Sequence, residues 1–195
     1  MKQVFFYLAL FCGLTGVMQA QSTKWVFDKS HSKIGFEATH MVISKVQGNF
    51  TSYEGTVLSD KPDFTDAKID FTIDVASINT ENEQRDNHLR SDDFFNAEKY
   101  PKITFKGKSL KKVSDNQYKL SGDLTIRDVT KPVELDVTYG GTVKDPWGNT
   151  RAGFHVKGVI DRFDYNLKWN AALETGGLVV GREIVINCPI ELIRQ

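Results

Sequence analysis

An excess of charge of either sign is absent from this chain: 25 lysines and arginines stand against 25 aspartates and glutamates. A nucleic-acid partner needs a basic surface that displaces counterions, so none is expected. Cysteine is nearly absent too. Of the two present, Cys12 lies in an N-terminal stretch that reads as cleaved, which leaves Cys188 alone and excludes an intramolecular disulfide. The spacings of a metal site are also missing: the 4 histidines, His31, His40, His88 and His155, form no H-x-H or H-E-x-x-H, and there is no C-x-x-C. No G-x-S-x-G elbow, phosphate-cradling loop or dinucleotide fingerprint appears. His31 and Ser32 are neighbours, but adjacent strand residues point to opposite faces and make a poor nucleophile and base. No metal, no cofactor and no catalytic residue is therefore expected.

Long apolar runs are missing beyond the N-terminus. Lys2, the run from Val4 to about Leu14 and the approach to Ala20 have the charged, hydrophobic and cleavage order of a secretory signal. The run is too short for a bilayer-spanning helix of roughly 20 residues, so no stable membrane insertion is expected. Residues 1–20 are read as a signal peptide, and residues 21–195 as one domain of a periplasmic or secreted protein.

What the chain has in quantity is alternation. Ala67, Ile69, Phe71, Ile73 and Val75 share one face while Lys68, Asp70, Thr72 and Asp74 share the other, the period-two pattern of a half-buried strand. The same pattern runs through Ile34 to Ala38, Tyr118 to Ile126, Val133 to Tyr139 and Ile184 to Leu192. Shorter strands are expected at Trp25 to Asp28, Tyr53 to Leu58, Ile103 to Lys108 and Phe154 to Ile160, with turns at Asp115-Asn116, Arg127 to Pro132 and Asp145 to Asn149. About eight or nine strands, each with one apolar face, imply an all-β antiparallel barrel or sandwich.

One segment breaks the rhythm. Thr80 followed by Glu83 reads as a capping box that starts a short helix at Thr80, with Glu81–Arg85 and Asp86–Arg90 as ion pairs one turn apart. Arg85, Asp86, His88 and Arg90 are expected to form a polar seam, and Leu89, Phe94 and Phe95 to anchor the helix to the barrel. An eight-stranded barrel holds either filling side chains or one small ligand. Gly107, Gly122 and Gly158 on inward faces either leave room for that ligand or only relieve curvature.

Several ordered motifs resemble the YceI family of lipocalin-like, polyisoprenoid-binding proteins: Asp28 to His40, Gly48 to Phe50, Ser77 to Phe105, Leu120 to Leu135, Gly153-Phe154 and Ile160 to Asn166. Asp128 stands where the family usually has glycine in a turn. The resemblance implies an extended eight-stranded antiparallel lipocalin-like barrel with one or two short helices. It also implies an isoprenoid or other long-chain lipid as partner, carried or sequestered in the lumen. Alternation selects the wall: Ile34, Phe36, Ala38, Ile69, Phe71, Ile73, Phe105, Leu124, Ile126, Phe154 and Ile186, with Arg85 or His88 as head-group contacts. A homodimer is a possible assembly. Two other readings stand beside this one. One is an enzyme acting on a lipid or quinone through His31, Asp86 or His88; the other is a solidly packed stress-response or structural module.

Overall fold

A computed structural model describes residues 22–174 and 176–195; the expected signal segment lies outside them. In chain order the elements are β1 (Lys24–Phe27), β2 (Ile34–His40), β3 (Ser44–Phe50), β4 (Tyr53–Leu58), β5 (Lys68–Asp74), β6 (Ile78–Asn79), α1 (Glu83–Arg90), β7 (Lys102–Ser114), β8 (Gln117–Ile126), β9 (Val129–Lys144), β10 (Thr150–Asp161) and β11 (Val180–Arg194). Short 3-10 turns occupy Val75–Ser77 and Arg162–Tyr165.

Every strand pairing is antiparallel. The order β1-β4-β5-β7-β8-β9-β10-β11 closes on itself because β1 also pairs with β11, giving a barrel of eight strands. The remaining segments are continuations of these strands. Val180 to Asn187 of β11 pair with β2, while Leu192 to Arg194 of the same strand pair with β1. β1 and β2 thus act as one bent strand, interrupted where the Asp28 carboxylate accepts from the Ser30 N–H. β3 and β4 are broken in the same way at residues 51–52, and β5 and β6 at the first 3-10 turn.

Four local readings are corrected. The alternation pattern assigns no strand to Ser44–Phe50, where Gly48 leaves a gap in the short inward row of Val46, Gly48 and Phe50; β3 forms there through seven paired positions with β2. The turn read at Arg127 to Pro132 contracts to Arg127-Asp128, since Ile126 pairs directly with Val129. Arg127 takes the left-handed φ of 53° in that hairpin, so Asp128 does not need the glycine-like backbone. Pro132 sits inside β9 opposite Asp123, at a place where β9 has no partner on its other side, so its missing N–H costs no ladder bond.

The helix start is the fourth correction. Asn82, and not Thr80, caps α1, its side chain accepting from the Arg85 N–H. Thr80 is buried and donates both its N–H and its hydroxyl to Asp86 at 2.9 and 2.6 Å. Neither expected ion pair forms. Arg85 donates to the Thr80 hydroxyl and carbonyl, and Arg90 to the carbonyls of Ala76 and Ile78. Glu81 is exposed and its attraction for Arg85 is screened by water, while the buried Asp86 is already engaged by Thr80, so backbone carbonyls within reach take both arginines.

Candidate functional site

The inward faces of the barrel enclose a cavity of about 270 Å³. Each of the eight ring strands contributes, for example Phe27 of β1, Val57 of β4, Leu135 of β9 and Ile190 of β11. The residues selected by alternation all line it: Ile34, Phe36 and Ala38 on β2, Ile69, Phe71 and Ile73 on β5, Phe105 on β7, Leu124 and Ile126 on β8, Phe154 on β10 and Ile186 on β11. Other lining residues, such as Leu120 and Val156, follow the same alternation and were legible by the same rule. Leu89, Phe94 and Phe95 reach the cavity from α1 and the segment after it.

Inward glycines leave less room than their lack of a side chain suggests. A Cβ on Gly122 would lie 2.4 Å from the Phe105 ring, one on Gly158 2.4 Å from Leu135, and one on Gly107 2.9 Å from Ile69. The space is taken by neighbouring side chains, which lie flat across the strands and keep the centre open.

The two ends of the barrel are closed by different means. At the β4–β5 end, Phe64 is 2% exposed and packs on Trp25, Phe154 and Tyr139, with ring centroids 4.9, 5.0 and 5.8 Å away. Its φ of 59° is unusual for an aromatic residue and is held by the surrounding loop, where Asp66 accepts from the Asp60 and Lys61 N–H groups. Periodicity gives no sign of this plug, because Phe64 belongs to a connection.

At the α1 end, arginines bind backbone carbonyls. Arg127 donates to the carbonyls of Asp92, Phe94 and Asn166, and Arg162 to those of Leu167, Trp169, Val180 and Gly181. Among the described residues Arg162 is the one charged residue in the lumen wall, and it is 1% exposed. Burial pushes its pKa down. Its position in the polar-looking stretch Ile160 to Asn166 hid it from sequence reading.

Arg85 and His88 lie elsewhere. They line an open surface depression with Asn82 and Gln84 and are not part of the lumen wall. His88 is hydrogen-bonded to Asp93 at 2.8 Å and packs edge-on against Trp169 and Phe94. Asp86 is engaged by Thr80, and His31 is an exposed side chain hydrogen-bonded to Asp28 at 2.9 Å.

Among the described residues one grouping has metal-like geometry: Asp28, His31 and Glu191 each offer a ligand atom within 4.8 Å of the others. Arg151 already occupies it. Its guanidinium binds Asp28, Glu191 and Asp145 together, and this brings all three carboxylates onto one cation. The hydrogen bond from His31 holds the Asp28 carboxyl down at about 2, and the same bond raises His31.

A YceI-like domain matches residues 25–192, nearly all of the described chain. The chain belongs to the YceI family. The relatives of this YceI protein include the UPF0312 protein SA2479 of Staphylococcus aureus, 41% identical over 170 residues that cover 87% of this chain and 96% of that one. A solved YceI protein from Campylobacter jejuni is 37% identical, covers 86% of this chain and 96% of its own, and superposes with a TM-score of 0.69. A polyisoprenoid binding domain from Saccharophagus degradans shares the fold at 16% identity and a TM-score of 0.64, covering 88% of this chain and 98% of that domain. No described helix is long and apolar enough to cross a membrane.

Proposed function

We propose that this YceI protein binds a long-chain isoprenoid or related lipid in the barrel lumen and carries or sequesters it. The observation that carries the reading is an unfilled cavity whose wall is apolar except for Arg162. Each methylene moved from water into such a wall contributes about 0.8 kcal/mol, so about ten carbons offset the several kcal/mol of lost ligand freedom. A solidly packed module has no use for this open space. A fold neighbour is described as a polyisoprenoid binding domain, and the lumen here has the chemistry a prenyl tail requires. His31, Asp86 and His88 lie outside the wall, so the reading is one of binding and not of acid or base chemistry on a tail. The reading includes action in the periplasm or outside the cell, with residues 1–20 as the export signal.

Lipids extracted from the natively purified protein and identified by mass spectrometry test this. A stoichiometric long-chain molecule is expected. A protein that is recovered empty and takes up no added prenyl or acyl chain removes the reading.

A further inference from the structure

The lumen wall presents hydrocarbon to the space it encloses. Among the described residues its lining is aliphatic or aromatic apart from Gly35, Arg162 and Cys188, and both polar side chains donate to backbone carbonyls. Arg162, 1% exposed, donates to the carbonyls of Leu167, Trp169, Val180 and Gly181. The Cys188 thiol donates to the Gly35 carbonyl at 3.6 Å. A hydroxyl enclosed by such a wall would lose its hydrogen bonds to water without replacement, and a carboxylate or phosphate would lose far more.

The space is also bounded. Phe64 closes one end, and the arginine–carbonyl bonds close the other. At the sides, the Phe105 ring lies against Gly122 and Leu135 against Gly158, so neither side chain has room to retreat into the wall. An apolar cavity of about 150 Å³ holds one benzene molecule, so the about 270 Å³ here corresponds to roughly ten carbons, the size of two isoprene units.

We infer that the lumen recognises one terminal segment of its ligand, about ten carbons long, and is indifferent to the head group. This rests on the carrier reading and states which part of the lipid the barrel holds. The head and any further chain stay outside. The β9–β10 ladder stops at the Asp136–Lys157 pair, short of Val129 to Leu135 and of Gly158 to Asp161, so a longer chain can cross the wall there without breaking ladder bonds. Alcohols, carboxylates and phosphates that share a tail are then equivalent cargo.

The test is calorimetric titration of the unmodified, delipidated protein with prenyl phosphates of one, two, three and four isoprene units, below the concentrations at which they aggregate, and with the three-unit alcohol beside the three-unit phosphate. Affinity should rise about fourfold per added carbon up to two units, then change by less than about threefold out to four units. The three-unit alcohol and phosphate should agree within about threefold. A rise that continues at the same slope to four units overturns the size limit, and a preference of about tenfold or more for either head overturns the indifference; both results leave the carrier reading standing. Binding that peaks at two units and is lost beyond them keeps the segment size and replaces the long chain of the carrier reading with a small free hydrocarbon. No binding by any probe removes both. Ala38→Leu, which adds bulk to the lumen wall, should weaken the two-unit phosphate by about tenfold or more and leave the one-unit phosphate unchanged. Parental affinity for the two-unit phosphate in that variant overturns the inference. If Ala38→Leu does not fold, the series on the unmodified chain decides.

Discussion

The ring of Phe105 on β7 lies across Gly122 on β8, so close that a Cβ at position 122 would stand 2.4 Å from the ring and 2.6 Å from the Lys106 carbonyl oxygen. The ring cannot move aside without entering the cavity, and the carbonyl belongs to the β7–β8 ladder. Gly122→Ala should therefore destabilise the protein by about 1–3 kcal/mol, the usual cost of overpacking. The midpoint of urea denaturation measures it. A midpoint equal to that of the parent chain would show that the two strands separate freely here.

The buried pair Thr80 and Asp86 makes a second prediction. Asp86 accepts from both the N–H and the hydroxyl of Thr80, and the same hydroxyl accepts from Arg85 Nε at 2.7 Å. Asp86→Ala leaves a buried backbone N–H without an acceptor, a loss of about 1–3 kcal/mol. Local opening should come first, so amide hydrogen exchange in α1 should accelerate more than exchange in β8. Uniform acceleration in both would count against a local role.

The Arg151 cluster makes stability depend on pH at both ends of the scale. Asp28 titrates at about 2 in the folded chain against 3.8 as the ordinary value, so its stabilisation is present above pH 3.8 and is lost as pH falls through about 2. His31 is raised above 6.5, so its stabilisation is complete below pH 6.5 and is lost as pH rises through the raised value. Melting temperature should be highest between these limits. His31→Ala should remove part of the decline above pH 6.5 and also weaken the acid limb, because the same bond holds Asp28 down, with Arg151 left to sustain the remainder; an unchanged alkaline limb would show that the His31–Asp28 bond contributes nothing in solution.

The Cys188 thiol, in the lumen wall, is pushed up to about 11 by burial. At neutral pH almost no thiolate forms, and the side chain is buried. Alkylation by iodoacetamide, followed at Cys188 by peptide mass spectrometry, should be slow in the folded protein and fast in urea. Rapid labelling without denaturant would mean that the barrel opens far more often than its packing implies.

Much of the wall was legible because β-structure has a side-chain period of two: once one residue of β5 or β8 faces inward, its neighbours two positions away must follow. The same rule passed over β3, where Gly48 thins the inward row to Val46 and Phe50. The helix was legible in place but not in its cap. A Thr and a Glu three residues apart satisfy the capping pattern, yet Glu81 adopts a left-handed φ of 63° and starts the helix two residues later. Propensity rules count neighbours along the chain, whereas Thr80 is held by Asp86 across a turn.

By itself, the sequence determined an all-β antiparallel framework, the inward row on most strands and the membership of one family, because these depend on local order along the chain. Tertiary structure alone decided that the inward rows surround an open space, that Phe64 closes one end from a loop, and that Arg162, which reads as a surface residue, is buried. Those three outcomes depend on which distant segments meet: the ring closes through β1 on β11, and Arg162 is covered only when the carbonyls of residues 167 to 181 fold over it. Burial is a property of that enclosure, and no local pattern of residues encodes it.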